Sequence, residues 1–299
     1  RNAGVSTAAG TVTFNVNSST VQVYTGDTNG WEVVGEQEGT ITATGGTKFD
    51  APNGKQGHAF TSSGSLVVES GNGNVEYIIV GGGGGGASAD GGGGGGGGGV
   101  RTNIPGIYPG PLTGGAMPIS PGTYPVTRGG GGAKASDNDN PGQPGSDGGD
   151  STFNGQTGGG GGGGGSSTPN PNDGRAGRPF GGSGGGGGAS PPSGNTSGGA
   201  AADGGGGAGS GGAGDARASG SDWTGGGGGG AGPNNGSPGA VQNPSAGAGG
   251  DGISIPTSYV PPSYGTPGPA PGRYFGGGGG GGGGDSDNGP IIPQGGAGG

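Results

Sequence analysis

The sequence predicts a mostly irregular and β fold with essentially no α-helix. A small N-terminal β-module leads into a bundle of about ten polyglycine-II helices with loops at both ends. Three observations predict it. Of 299 residues, 101 are glycine, much of it in unbroken runs at 81–86, 91–99, 129–132, 158–165, 184–188, 204–207, 225–230 and 276–284. The β-forming residues crowd the part before Val80, and no segment repeats apolar residues at helical spacing. The segments between runs are rich in Pro, Asn, Asp, Ser and Tyr, the residues of turns and loops.

The N-terminal part reads as short strands. Val12, Phe14 and Val16 alternate with Thr11, Thr13 and Asn15, which is strand period. Val21–Tyr24 is a second strand, and the turn Gly26-Asp27-Thr28-Asn29-Gly30 precedes a third at Trp31–Val34. Thr40–Thr44 and Ser65–Glu69 follow the same pattern. Val75–Val80 is apolar enough to be buried and runs straight into the first glycines, which places the division into a β-rich module at 1–76 and a glycine-rich domain at 77–299.

Glycine runs favour a flexible chain on composition alone, since ordering glycine costs more backbone entropy than ordering any other residue. Collagen is excluded, because its triple helix needs a strict Gly-X-Y period that pure glycine runs lack. The polyglycine-II helix accounts for them better. It has three residues per turn and a rise of about 3.1 Å, with N–H and C=O groups pointing outward in three directions. Neighbouring helices satisfy those groups provided that no Cβ holds the backbones apart. Glycine is then required inside the bundle, and Ser183 or Ala213 mark outward positions. Linkers, by contrast, mix Ser and polar residues throughout.

Several functions are excluded or weakened. Net charge is −9 with ten Lys plus Arg, so neither nucleic acid nor an anionic membrane is an expected partner. There is no cysteine for a disulfide, thiolate nucleophile or metal site, and no apolar run of membrane-spanning length. The chain opens at Arg1-Asn2 without Met or a signal-like region, which reads as a fragment or processed product. The single histidine, His58, lies in a strand region and reads as structural, leaving no nucleophile–base pair. Asp137, Asp139, Asp147, Asp150, Asp285 and Asp287 sit in Gly/Asn/Ser/Pro loops, where turn formation explains them. Asp285–Gly289 starts like a calcium loop but lacks the closing acidic ligand. No catalytic residue, cofactor or metal site is expected.

Two stretches carry a family resemblance. GTVTFNVNSSTVQVYTGDTNGWEVVG, residues 10–35, resembles the short β-modules of bacteriophage tail-fibre proteins. HAFTSSGSLVV at 58–68, VEYIIVGGGGGG at 75–86, PGTYPVTRGGGG at 121–132 and DSTFNGQTGGGG at 150–161 resemble, in order, the glycine-rich domain of phage tail-fibre tip adhesins. Arg128 departs from the pattern, which has an apolar residue there. The resemblance implies a polyglycine-II sandwich on an extracellular virion tail fibre. It also implies a non-enzymatic adhesin that binds a host surface glycan or outer-membrane protein through its loops and associates with other tail-fibre subunits, in a homotrimer by analogy. A structural fibre or virion-decoration protein without a receptor is the alternative. An ice-binding protein on the same helix type is a further one, against which the long pure-glycine runs speak.

Strict alternation of successive glycine runs predicts which loops share an end. Loops 87–90, 133–157, 189–197, 231–246 and 285–294 fall at one end and are mostly Asp, Asn, Ser, Pro and Gly, with Phe153 the one aromatic. Loops 100–128, 166–180, 215–224 and 253–275 fall at the other, with Trp223 and Phe180 and every tyrosine after Tyr77. Asp137, Asn138, Asp139, Asn140, Asn234, Asn235 and Asn243 are the candidate receptor-binding residues, because Asp and Asn hydrogen-bond sugar hydroxyls. The alternative set is aromatic: Tyr108, Trp223, Tyr259 and Tyr264, which give rigid amphipathic contact.

Overall fold

A computed structural model describes residues 9, 11–15, 20–24, 31–33, 40–88, 91–107, 114–136, 142–166, 173–189, 197–200, 215–216, 223–232, 246–268, 271–284 and 295–296. Among them the chain is strand and irregular backbone, with no helix. The strands form several small antiparallel sheets.

Val12–Asn15, Thr20–Tyr24 and Trp31–Val33 pair in sequence order as an antiparallel meander. The largest sheet has five strands in the order Gln156–Gly158, Ser151–Phe153, Gly122–Thr127, Gly64–Ser70 and Thr42–Thr44. Its strands come from both sides of residue 76. Alternation puts Leu66 and Val68 on the inner face, where they meet Ala43, Tyr77, Ile79, Met117 and Ile119. The sheet therefore depends on segments 121–127 and 150–158, each of which leads directly into glycine. Arg128 is exposed, and its backbone N–H donates to Ser63 Oγ at 3.0 Å.

A second apolar cluster lies where several glycine runs begin or end. Val100, Ala231, Ile253, Ile255 and Val260 form it, with Ile78, Val80, Ile107, Tyr259 and Phe275 packed against them. The strand pairs Ile78–Val80 with Val100–Thr102, and Ile253–Ile255 with Arg273–Phe275, hold these residues in place.

Between the runs, backbone hydrogen bonds recur at every third residue. Gly81, Gly84 and Ala87 donate to Gly99, Gly96 and Gly93, so run 91–99 is antiparallel to 81–88. Gly93, Gly96 and Gly99 donate to Gly165, Gly162 and Gly159 of another antiparallel run. Gly94 and Gly97 donate to Gly226 and Gly229 of a parallel one. Run 91–99 also accepts from Ser183, Gly186 and Ala189, and from Gly279 and Gly282. It is thus surrounded by 81–88, 158–165, 181–189, 225–231 and 276–282, and residues 92–99 are all buried. A Cβ on Gly93 through Gly98 would point in turn at Gly186, Gly279, Gly84, Ser183, Gly276 and Gly81, each within 2.3 Å of a carbonyl oxygen. Only glycine permits that approach.

The expected alternation of glycine runs is overturned. Gly161 and Gly164 donate to Gly82 and Gly85, so run 158–165 is parallel to 81–88. Run 225–231 is antiparallel to 181–189, with Gly226 and Gly229 donating to Gly187 and Gly184. The first change comes from an extra member that is not pure glycine; a second such member restores the expected direction at 181–189, and the change at 225–231 arises after residue 200. Residues 143–149 return antiparallel to 81–88 through Gly82 to Gly149, Gly85 to Ser146 and Ser88 to Gln143. Residues 174–178 return antiparallel to 158–165 through Arg175 to Gly163 and Arg178 to Gly160. Each carries glycine at every third position, Gly145 and Gly148 or Gly174 and Gly177, and those glycines are the positions whose Cβ would strike a neighbouring carbonyl. Ser183 is also corrected: it is completely buried rather than outward, and its hydroxyl has no partner among the described residues. Ala213 lies outside the described residues.

Candidate functional site

The run directions define two ends. One is covered by the five-stranded sheet and the second apolar cluster, and it holds Tyr77, Tyr124, Phe153, Tyr259, Tyr274 and Phe275. At the other end lie Ser88, Ser136, Gln143, Ser166, Asp173, Ala189, Ser197, Thr224 and Gly284. Their bonding stitches runs together. Ser88 Oγ accepts from Gln143 N–H at 2.9 Å, and Asp173 Oδ1 accepts from Ser197 N–H at 2.7 Å. Ser166 and Thr224 are buried.

The polar candidates Asp137, Asn138, Asp139 and Asn140 lie outside the described residues, but Ser136 and Gly142 on either side are described, at this second end. Asn234, Asn235 and Asn243 are likewise outside, in a segment joining Gly232 at the sheet-covered end to Ala246 at the other. Tyr108 is outside too, and so is the 285–289 segment. The aromatic candidates do not come together. Trp223 is paired through its backbone with Gly284 and Ala216, at the end opposite Tyr77, which corrects the expected grouping of aromatics at one end. Tyr259 packs on the second apolar cluster. Tyr264 has its ring 6.1 Å from Phe49, and its carbonyl accepts from Arg273 Nε at 2.8 Å. These two tyrosines brace the sheet-covered end. His58 is half-buried in its strand, with Nδ1 2.7 Å from the Gly45 carbonyl oxygen.

One charged arrangement was not foreseen. Asp147 and Asp150 on the 143–150 segment face Arg175 and Arg178 on the 174–178 segment. Arg175 Nε lies 2.7 Å from Asp147 Oδ1, and Arg178 Nε lies 2.9 Å from Asp150 Oδ1. The same carboxylates accept the N–H groups of Gly163 and Gly160, both at 3.0 Å. Two of the three N–H directions of run 158–165 go to other runs; the third goes to these side chains. The carboxylates thus stand in for a missing backbone neighbour, and the arginines hold them there. The three-residue spacing of both pairs, each next to a glycine, is the sequence signal that marks them. Asp150→Ala is expected to lower unfolding stability by about 1–2 kcal/mol, discounted for the half-exposed arginine. Asp150→Asn, which keeps an acceptor for Gly160, should recover part of it in urea titrations.

Tyr77 is the one described group with a displaced pKa. Burial pushes its phenol above the ordinary value of 10, and the nearby Arg101 charge opposes this in part. Its hydroxyl is buried without a hydrogen-bond partner, directly against Gly114. The folded state therefore keeps the Tyr77 proton after the unfolded chain has lost it. Stability is expected to hold below the ordinary phenol value and to fall as pH rises above it. Comparing Tyr77→Phe with the parent in alkaline unfolding titrations checks this, because the variant should lack that loss.

Among the described residues no three His, Asp or Glu side chains gather as metal ligands. No helix there is long and apolar enough to cross a membrane. No protein-family model matches the chain, and no curated protein or solved structure is significantly similar to it.

Proposed function

We propose that the chain is a polyglycine-II bundle acting as a non-enzymatic phage tail-fibre or tip adhesin. Its loops at the end remote from the β-sheets bind a host surface glycan or outer-membrane protein. The helix assignment is supported by the three-residue step of the inter-run hydrogen bonds, the period of polyglycine II. The adhesin assignment rests on the ordered sequence resemblance to tail-fibre proteins.

One observation carries the choice of end. Segments 89–90, 137–141, 167–172 and 190–196 each join described residues at the same end, while the opposite end is closed by sheets and apolar side chains. A rigid scaffold presenting several polar connections together is the usual arrangement for recognition by loops. The sheet-covered end then faces the rest of the fibre.

Adsorption of the purified protein to a panel of whole bacteria tests this. Replacing residues 137–141 and 190–196 with Gly/Ser sequence of equal length should abolish adsorption to any strain that the parent binds. Retained adsorption in both variants would refute the assignment of the polar end. The ladder residues Asp147 and Asp150 stay in place, so that the scaffold is not disturbed.

A further inference from the structure

Around run 91–99 one direction has no neighbour. Gly93, Gly96 and Gly99 donate to one run and Gly94 and Gly97 to another, so the third phase of N–H groups belongs to Gly95 and Gly98. Neither N–H has an acceptor among the described residues, although both residues are buried. Both line a groove of about 360 Å³ walled by Gly81–Gly86 on one side and Gly276–Gly280 on the other.

The walls complete the pattern. On run 81–88, carbonyls 82 and 85 accept from Gly161 and Gly164, and carbonyls 83 and 86 accept from Gly132 and Ala135. The remaining phase, Gly81 and Gly84, is unpaired among the described residues. On the other wall, carbonyls 276, 279 and 282 accept from Ala231, Gly228 and Gly225, and carbonyl 278 accepts from Gly296. Gly277 and Gly280 are left. The groove thus offers two N–H donors on its floor and two carbonyl acceptors on each wall, all at three-residue spacing, with no side chain between them except Val80 at one mouth.

We infer that this groove is a binding site for an extended segment of a partner polypeptide with glycine at every third residue. A chain with three residues per turn directs one carbonyl in three at the floor and two N–H groups in three at the walls. Its floor-facing residue must be glycine, for the same reason that Gly145 and Gly148 are glycine on the 143–149 segment. There a Cβ would lie 1.9 Å and 2.0 Å from the carbonyls of Gly85 and Gly82. Its other side chains can face outward, as the exposed Ser146 does on that segment. Four of these six residues are buried and Gly84 and Gly280 are half-buried; buried donors and acceptors without partners are rare in folded proteins, and a strand in the groove would pair all six. The inference rests on the three-residue register of the runs and on no receptor.

The test uses the full chain, ¹⁵N-labelled, with the peptide acetyl-(Gly-Ser-Asn)₃-amide and its (Ala-Ser-Asn)₃ counterpart. Before addition, the amides of Gly95 and Gly98 should exchange with solvent faster than those of Gly93, Gly96 and Gly97. Uniformly fast exchange would overturn the bundle itself. The glycine peptide at millimolar concentration should shift the Gly95 and Gly98 resonances and slow their exchange, with the alanine peptide at least about tenfold weaker. Gly83→Val, whose Cβ meets nothing nearer than 3.6 Å, keeps the fold yet narrows the groove and should weaken the response. An equal response to both peptides, no response to either, a response to soluble dextran instead, or protection of these amides by self-association would each overturn the inference.

Discussion

Gly161→Val is expected to lower unfolding stability by more than about 3 kcal/mol, above the usual range for an overpacked side chain. A Cβ on Gly161 would sit 2.0 Å from the carbonyl oxygen of Gly96, and valine adds two methyl groups beyond it. Overpacked cores usually relieve strain by rotating side chains. Here the atom in the way is backbone, on a run hydrogen-bonded to five others, so relief means breaking several of those bonds. Urea or thermal unfolding reads the loss directly, and an unchanged midpoint would sink the close-packed arrangement of runs.

The same geometry predicts a change of sign within two residues. A Cβ on Gly132 would lie 2.0 Å from the Ser146 carbonyl, whereas one on Gly130 meets nothing within 4 Å. Gly132→Ala should therefore destabilise. Gly130→Ala should be neutral or stabilising by up to about 1 kcal/mol, because alanine restricts the unfolded chain more than glycine does. An alanine scan along 129–132 would show a three-residue rhythm of tolerance if this packing is right.

That rhythm also explains what the sequence could and could not reveal. The strands at 12–15, 20–24 and 31–33 and the buried strand leading into the first run follow from alternation and turn residues, and the strands form where those signals lie. Length of glycine run was a poor guide to membership of the bundle. A run must be pure glycine only where neighbours surround it, as at 92–99. At an edge one residue in three suffices, so Gly145-Ser146-Asp147-Gly148 and Gly174-Arg175-Ala176-Gly177 read as loops. The first of these reverses the expected direction of 158–165 and the second restores it at 181–189, whereas Trp223 changes ends only beyond residue 200. The Asp–Arg ladder was hidden for the same reason, since its carboxylates are turn residues until the segment carrying them becomes a bundle member. Of the polar candidate residues, none falls within the described residues, so their place rests on the described residues around them.

Ile255→Ala is expected to cost about 2–5 kcal/mol, the range for truncating a fully buried aliphatic side chain. Ile255 has no exposed surface, and its cluster gathers the points where four runs meet side chains. Val100 follows run 91–99, Ala231 closes 225–231, Ile253 follows 246–252 and Phe275 precedes 276–284. Glycine contributes little apolar surface of its own, so the hydrophobic effect enters this part of the molecule mainly through such end clusters. They also set register, because Ile253–Ile255 pairs with Arg273–Phe275 immediately before Ala231 donates to Gly276. A cavity there should accordingly loosen the adjoining hydrogen bonds as well as lower global stability. Amide exchange at Ala231 and Gly278 should rise more than at Gly162, which lies in a run that does not end in this cluster. Ile255→Val, which leaves a smaller void, should cost about 0.5–1.5 kcal/mol. A loss below about 1 kcal/mol for Ile255→Ala would mean that the runs hold together through backbone bonding alone, with the apolar end contributing little.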